Sequence, residues 1–228
     1  MVEITVCGEA VERASAERAT VTVHSRWGAS SAEAAMRVVA DAHERLVAEA
    51  TSHVDAGAAE SWQADRVGIS HSQEWVGEGE PRRSVYTASA SVTVRFIDFE
   101  ALGMWIGRVG MHDVHEVGGI QWSLSEQTER DRARAARTRA VADAVERAAD
   151  YAAAAALGAP VVDSIQEPGT TPPVPLARGV RMEAMALAGA PGAAPAISFE
   201  AGVIEVHAAV EVRFVAEPLR HMQGSTAQ

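Results

Sequence analysis

Several stretches of the chain alternate between apolar and polar residues with the two-residue period of a half-buried strand. The cleanest sets Ala88, Ala90, Val92, Val94 and Phe96 against Thr87, Ser89, Ser91, Thr93 and Arg95. Near the end, Ile204, Val206, Ala208, Val210, Val212 and Phe214 alternate with residues that include Glu205, His207, Glu211 and Arg213. Shorter alternations at Ile4 and Val6, at Val21 and Val23, and at Ile120, Trp122 and Leu124 predict three more strands. Trp62, Ala64, Val67 and Ile69 predict another, and Val161 to Gln166 the last. The turn-like Glu12 to Glu17 region predicts a hairpin joining the first two strands, and Gly77-Glu-Gly-Glu-Pro81 an exposed hairpin tip.

Elsewhere the period becomes helical. Ala35, Val38, Val39, Ala42, Leu46 and Ala50 recur at helical spacing after Ser30-x-x-Glu33, a capping-box spacing that predicts an amphipathic helix from Ser31 to about Thr51. Asp98 is the expected N-cap of a shorter helix from Phe99 to Val109. Gly118 and Gly119 interrupt the chain before the Ile120 strand, and Ser123-x-x-Glu126 again has capping-box spacing. A long alanine-rich helix is expected from Ser125 to Leu157, ended by a left-handed Gly158 with Pro160 beyond. Its stripe Ala133, Ala136, Ala140, Ala144, Ala148 and Ala152 has no bulk to fill a thick core. Either close helix–sheet packing or a helix–helix contact between subunits would use it.

These elements predict an α+β fold: an antiparallel-rich sheet packed by two amphipathic helices and the long alanine-rich one. One domain is expected over residues 1–216. It encloses a loop over 168–201 that carries six prolines with many alanines and glycines, and a disordered tail is expected over 217–228. Met182, Met185 and Leu187 within the loop suggest a short amphipathic turn for docking.

Composition narrows the function more than it names one. With 228 residues and 47% hydrophobic residues the chain can bury a core, which excludes disorder throughout. A formal charge of −11 argues against nonspecific nucleic-acid binding, which needs a basic face. Arg130, Arg132, Arg134, Arg137 and Arg139 share their helix with Glu129, Asp131, Asp143, Glu146 and Asp150, the composition of a solvated face. The chain contains no lysine and no asparagine. That removes a Walker phosphate loop, a Schiff-base lysine, an asparagine-oriented papain-like triad and the N-glycan sequon. Cys7, the single cysteine, cannot form an intramolecular disulfide, so a reducing compartment suits the chain. Met1-Val2-Glu3-Ile4 enters a strand at once and no apolar run reaches bilayer-spanning length, so a cytoplasmic protein with no membrane partner is expected.

Candidate chemistry is sparse. His112-Asp-Val-His-Glu116 is the densest cluster of metal-ligating or acid–base types, but His112 and His115, three apart on an extended segment, would point to opposite faces. His71 and Glu74 share that spacing. Cys7 has no neighbouring histidine or arginine to activate it and reads as a buried structural thiol. Trp62, Trp75, Trp105 and Trp122 read first as core residues and second as a pocket lining. No catalytic residue, metal ligand or cofactor site is assigned, and no metalloprotease, nucleophile-elbow or dinucleotide signature occurs.

The motifs resemble a known family. Ile4-Thr-Val-Cys-Gly-Glu9, Ala19-Thr-Val-Thr-Val23, Tyr86-Thr-Ala-Ser-Ala-Ser-Val-Thr-Val94 and Gly118-Gly-Ile-Gln-Trp-Ser-Leu-Ser125 are similar, in order and spacing, to segments of the SIMPL-domain proteins, over residues 2–216. The resemblance implies an α+β domain that tends to self-associate, without established enzymatic activity or catalytic residues to carry over. The chain departs from exported members in lacking a signal peptide and in having Cys7 where serine is common. The expectation is therefore a nonenzymatic protein acting as a homo-oligomer, or through a protein partner engaged by the 168–201 loop and by sheet edges. The alternative is a small-molecule binder or weak enzyme with a pocket built from the tryptophans and the His112 to Glu116 loop.

Overall fold

The computed structural model describes residues 1–75, 77, 82–168 and 199–219. In chain order the elements are β1 (Val2–Ser15), β2 (Arg18–Ala29), α1 (Ala32–Asp55), β3 (Ala59–Ala64), β4 (Gly68–Glu74), β5 (Arg83–Phe96), α2 (Phe99–Val109), β6 (His115–Ser123), α3 (Glu126–Ala154), β7 (Val161–Gln166) and β8 (Val203–Ala216). All strand pairs are antiparallel and lie in two sheets, so the α+β expectation holds. Contacts divide the chain into two compact units, one holding β1, α3, β7 and β8 and the other β2 to β6 with α1 and α2. The Met182, Met185 and Leu187 turn, most of the proline-rich loop, the hairpin tip at 78–81 and the tail beyond 219 lie outside the described residues.

In the first unit the sheet order is β1-β8-β7. β1 pairs with β8 from Val2↔Ala216 to Ser15↔Val203. The expected hairpin between the first two strands is therefore not formed. Every residue of β1 finds a partner in the equally long β8, whereas β2 is taken up by strands of the other sheet. α3 covers one face, and its buried Ala136, Ala140, Ala144, Ala148 and Ala152 follow the helical repeat. Four of these alanines meet Ile4, Val6, Val210, Val212 and Phe214, while Ala133 is only half-buried. The alanine stripe is thus a helix–sheet contact. Methyl groups alone let the helix backbone approach the sheet, and a Cβ at Gly8 of β1 would overlap the Ala140 carbonyl oxygen.

Polar contacts fix this approach. The Asp143 carboxylate accepts from the Glu9 backbone N–H at 2.9 Å, which, with Arg147 beside it, holds that carboxyl below its ordinary pKa. Arg139 and Arg132 reach Glu12 of β1 at 2.6 and 3.7 Å. Part of the arginine-rich face therefore ties α3 to the sheet, while Arg130–Glu126 and Arg147–Asp143 pair one turn apart along the helix.

α3 starts from Ser125 as expected, but its cap is Ser125 itself and not the capping-box Ser123. The Ser125 hydroxyl accepts from the Thr128 N–H at 3.1 Å, because Ser123 is still paired in β6. α1 likewise starts one residue later than its spacing suggested, with Ser31 extended and accepting from Ala34 N–H. At the far end of α3 the left-handed residue is Ala156 (φ 54°), not Gly158. Leu157 N–H donates to Ala152 and Ala156 N–H to Ala153, closing the helix at Ala154, three residues before the expected Leu157. Gly158 instead donates to the Glu217 carbonyl at 2.7 Å.

In the second unit the sheet order is β3-β5-β2-β6, and β4 also pairs with β5. The segment read as one strand from Trp62 to Ile69 is two, β3 and β4, both on the same edge of β5. Polar residues Asp65 and Arg66 break it, and Asp65 takes the Ser91 hydroxyl as a hydrogen bond. The alternating side of β5 (Ala88, Ala90, Val92, Val94, Phe96) is buried as the pattern required. Val92, Val94 and Phe96 join Val21, Val23, Leu46, Leu102 and Trp105 in the larger core cluster, and Ala88 and Ala90 pack with Ala35 and Val39 of α1. Asp98 caps α2 as expected, accepting from Glu100 and Ala101 N–H at 2.9 and 3.0 Å. β6 bulges at Gly118–Gly119 opposite Thr22, and a Cβ on Gly118 would stand 2.9 Å from the Thr22 carbonyl oxygen.

Candidate functional site

Among the described residues, chemistry-bearing side chains gather at one end of β2. The strand continues past the alternation that announced it, through His24, Ser25, Arg26, Trp27 and Gly28 to Ala29. Ser25 is completely buried, and its hydroxyl shares a 3.0 Å hydrogen bond with His115 Nδ1. The His112 to Glu116 segment is not extended throughout. It turns at His112, whose carbonyl accepts from the His115 N–H, and the two imidazoles meet edge-on at 5.9 Å. The expectation that they point apart fails for that reason. No group of three or more histidine, cysteine, aspartate or glutamate side chains is placed to hold a metal among the described residues.

A second histidine lies on α1. His53 packs edge-on against Phe96 at 5.1 Å and Trp105 at 6.1 Å, and the Trp105 indole N–H donates to Glu49 at 2.8 Å. Burial pushes the His53 pKa below its usual 6.5, and Arg108 adds to this against the opposing pull of Glu49 and Asp98. His115 is lowered too, first by burial and then by His112, with Glu49 raising it and Arg45 lowering it. Both rings are therefore neutral in the fold near neutral pH. An unfolded chain binds their protons as pH falls through about 6.5. Stability is thus full above that pH and declines as pH drops through the depressed folded values. Urea midpoints measured from pH 7.5 to 5 are expected to fall, and to fall less in the His53→Gln/His115→Gln variant. The carboxylates Glu60 and Asp143, whose pKa values are also lowered, contribute the same sign only in the more acid range. A midpoint that stays flat or rises toward pH 5 would refute the assignment.

The remaining candidates are dispersed. Trp105 is fully buried, Trp122 is half-buried against Phe99 at 4.9 Å, and Trp62 and Trp75 are exposed. None of the four lines either of two open grooves among the described residues. Trp27, which no sequence pattern singled out, does line one: an open groove of about 530 Å3 with Arg26, Gly28, Glu74, Asp113, His115 and Glu116 on its walls. His71 stacks on Tyr86 at 4.7 Å while Glu74 pairs with Arg83 at 3.2 Å, so these two do serve separate neighbours. Cys7 is exposed, not buried. Ile4, Val6 and Gly8 take the covered face of β1, and alternation leaves Cys7 on the open one, opposite Glu211.

A family model described as SIMPL, protein of unknown function (DUF541), matches residues 4–214. The chain is a member of the SIMPL family. A search of curated proteins found no match. The SIMPL match spans both units and every strand described above, which agrees with the order of motifs along the chain. No helix of this SIMPL protein, among the described residues, is long and apolar enough to cross a membrane.

Proposed function

We propose that this SIMPL protein is a nonenzymatic protein that works by assembling with further copies of itself. The observation that carries the reading is the β4–β5 ribbon. All seven residues of β4 are exposed on both faces, with Ile69 45% and Trp75, just beyond it, 71% accessible. Among the described residues β4 pairs only with β5. Past Tyr86, where β2 ends, β4 and β5 form a two-stranded ribbon; such a ribbon without cover is marginal in water, and an unpaired edge is a template for another strand. The ribbon gains most by being covered. Support for a nonenzymatic role comes from Ser25: a fully buried hydroxyl cannot meet a substrate, so its hydrogen bond to His115 is structural. The lone Cys7 requires no oxidising compartment, and the cytoplasm is the setting we propose.

Light scattering over a dilution series tests this. The full chain is expected at a defined multiple of 24.0 kDa, and Ile69→Lys/Trp75→Ser is expected to shift it toward monomer with an unchanged far-UV circular dichroism spectrum. A monomer at every concentration, or an oligomer indifferent to the double substitution, would overturn the ribbon's role.

A further inference from the structure

The groove at Trp27 lies where β6 stops and β2 does not. β6 pairs with β2 as far as His115↔Ser25, and the ladder ends with the Arg26 N–H donating to the Val114 carbonyl at 2.8 Å. On its other side β2 stays paired with β5 through Ala29↔Tyr86. Backbone groups of an antiparallel strand alternate between its two neighbours. Arg26 faces the β6 side, so Gly28 faces it too, with no strand opposite among the described residues. An N–H and a C=O are thus presented at the floor of a groove, beside a residue with no side chain to obstruct approach.

The walls state the chemistry of the occupant. Trp27 is 41% exposed, a large apolar and π-electron surface left in solvent. Three carboxylates, Glu74, Asp113 and Glu116, line the groove against one guanidinium, Arg26. Glu74 is engaged by Arg83, but neither Asp113 nor Glu116 has an ion-pair partner among the described residues. The chain as a whole carries −11, which steers cations toward it. His115, neutral in the fold and bonded to Ser25, adds no positive charge to oppose them.

We propose that this groove binds an extended peptide segment carrying an arginine or lysine side chain. The peptide backbone continues the sheet beyond β6 by pairing with Gly28; Trp27 and Glu116 lie on opposite faces of the ladder, so successive peptide side chains meet them in turn, one lying on Trp27 and the basic one beside Glu116. Backbone pairing supplies affinity and the carboxylates supply the preference for a basic residue. A compact small molecule would leave the Gly28 backbone groups unused, which is why a strand-like occupant is preferred to a free amine.

The test uses the full chain and a fluorescein-labelled, amidated peptide of alternating valine and arginine, read by fluorescence anisotropy. Saturable binding is expected, with none for the peptide in which glutamate replaces arginine. Asp113→Asn/Glu116→Gln, two exposed changes, is expected to weaken binding about tenfold. Trp27→Ala is expected to do the same. Unlabelled arginine amide is expected not to compete. Absence of saturable binding would overturn the proposal, and so would equal affinity in both variants, since the peptide would then be adsorbing to the acidic chain elsewhere. Competition by arginine amide as effective as by unlabelled peptide would overturn the strand-docking geometry. None of the three substituted residues lies on β4 or β5. A monomeric chain that binds the peptide would refute self-assembly and leave this site standing, and an oligomer that ignores the peptide would do the reverse.

Discussion

Gly8→Ala is expected to destabilise the protein by about 3 kcal/mol, the upper part of the range for overpacking a tight interface, and to lower Tm by about 10 °C. The added methyl would overlap the Ala140 carbonyl oxygen and stand 2.7 Å from the Ala144 amide nitrogen and 2.8 Å from Ala144 Cβ. Two of those three atoms are helix backbone, which cannot swing aside as a flexible side chain does. Relief requires the helix to lift off β1, and that would loosen the buried contacts of Ala140, Ala144 and Ala148 together. Gly119→Ala is the matched control. It also adds a methyl to a strand glycine, but nothing lies within 4 Å of the new atom, so a change within about 1 kcal/mol is expected. Thermal melts by circular dichroism compare the two. A Gly8→Ala variant that melts with the wild type would mean that α3 does not press on β1 as described.

Trp105→Ala is expected to cost about 4 kcal/mol, in the range for emptying a large aromatic site in a core. The indole is completely buried and packs on Phe96 at 5.4 Å, with Leu102 and Ile106 in the same cluster. Its N–H is also the hydrogen-bond donor to Glu49, so the substitution removes that partner. Trp105→Phe separates the two losses. It retains most of the apolar volume and is expected to lose roughly half as much, part of it from the unpaired Glu49 carboxylate. Denaturant midpoints with unchanged slopes would give the values directly. Equal stability for the wild type and Trp105→Ala would be incompatible with a packed core at this position.

Much of the fold was legible because burial follows local period. The β5 alternation named every residue that β5 buries, and the α1 pattern named Ala35, Val39, Ala42, Leu46 and Ala50. The Asp98 cap was legible for a similar reason: a carboxylate just before an apolar helical run has free N–H groups within its own reach. Errors arose where a distant partner decided the outcome. Glu12 to Glu17 reads as a hairpin turn, yet β1 leaves it to pair with β8, some two hundred residues away in sequence. Cys7 reads as buried by residue type, yet its place in the β1 alternation puts it on the open face.

The candidate groove was less legible still. Its wall residues come from β2, the turn before β6 and the end of β4, which no short motif unites. The sequence did flag the His112 to Glu116 loop, and its Asp113, His115 and Glu116 do line the groove. Trp27 was missed because Ser25, a polar residue buried by its bond to His115, interrupts the alternation and hides how far β2 runs.

By itself the sequence determined the element types, the Asp98 cap, the α+β class and the family, because period, capping chemistry and motif order are local properties of the chain. Which strands pair, why Gly8 and the alanine stripe belong together, and where β2 outruns β6 were decided only by the tertiary structure. Those outcomes depend on which long-range pairing satisfies the most backbone groups and buries the most apolar surface at once, and no local window of residues contains both partners of that choice.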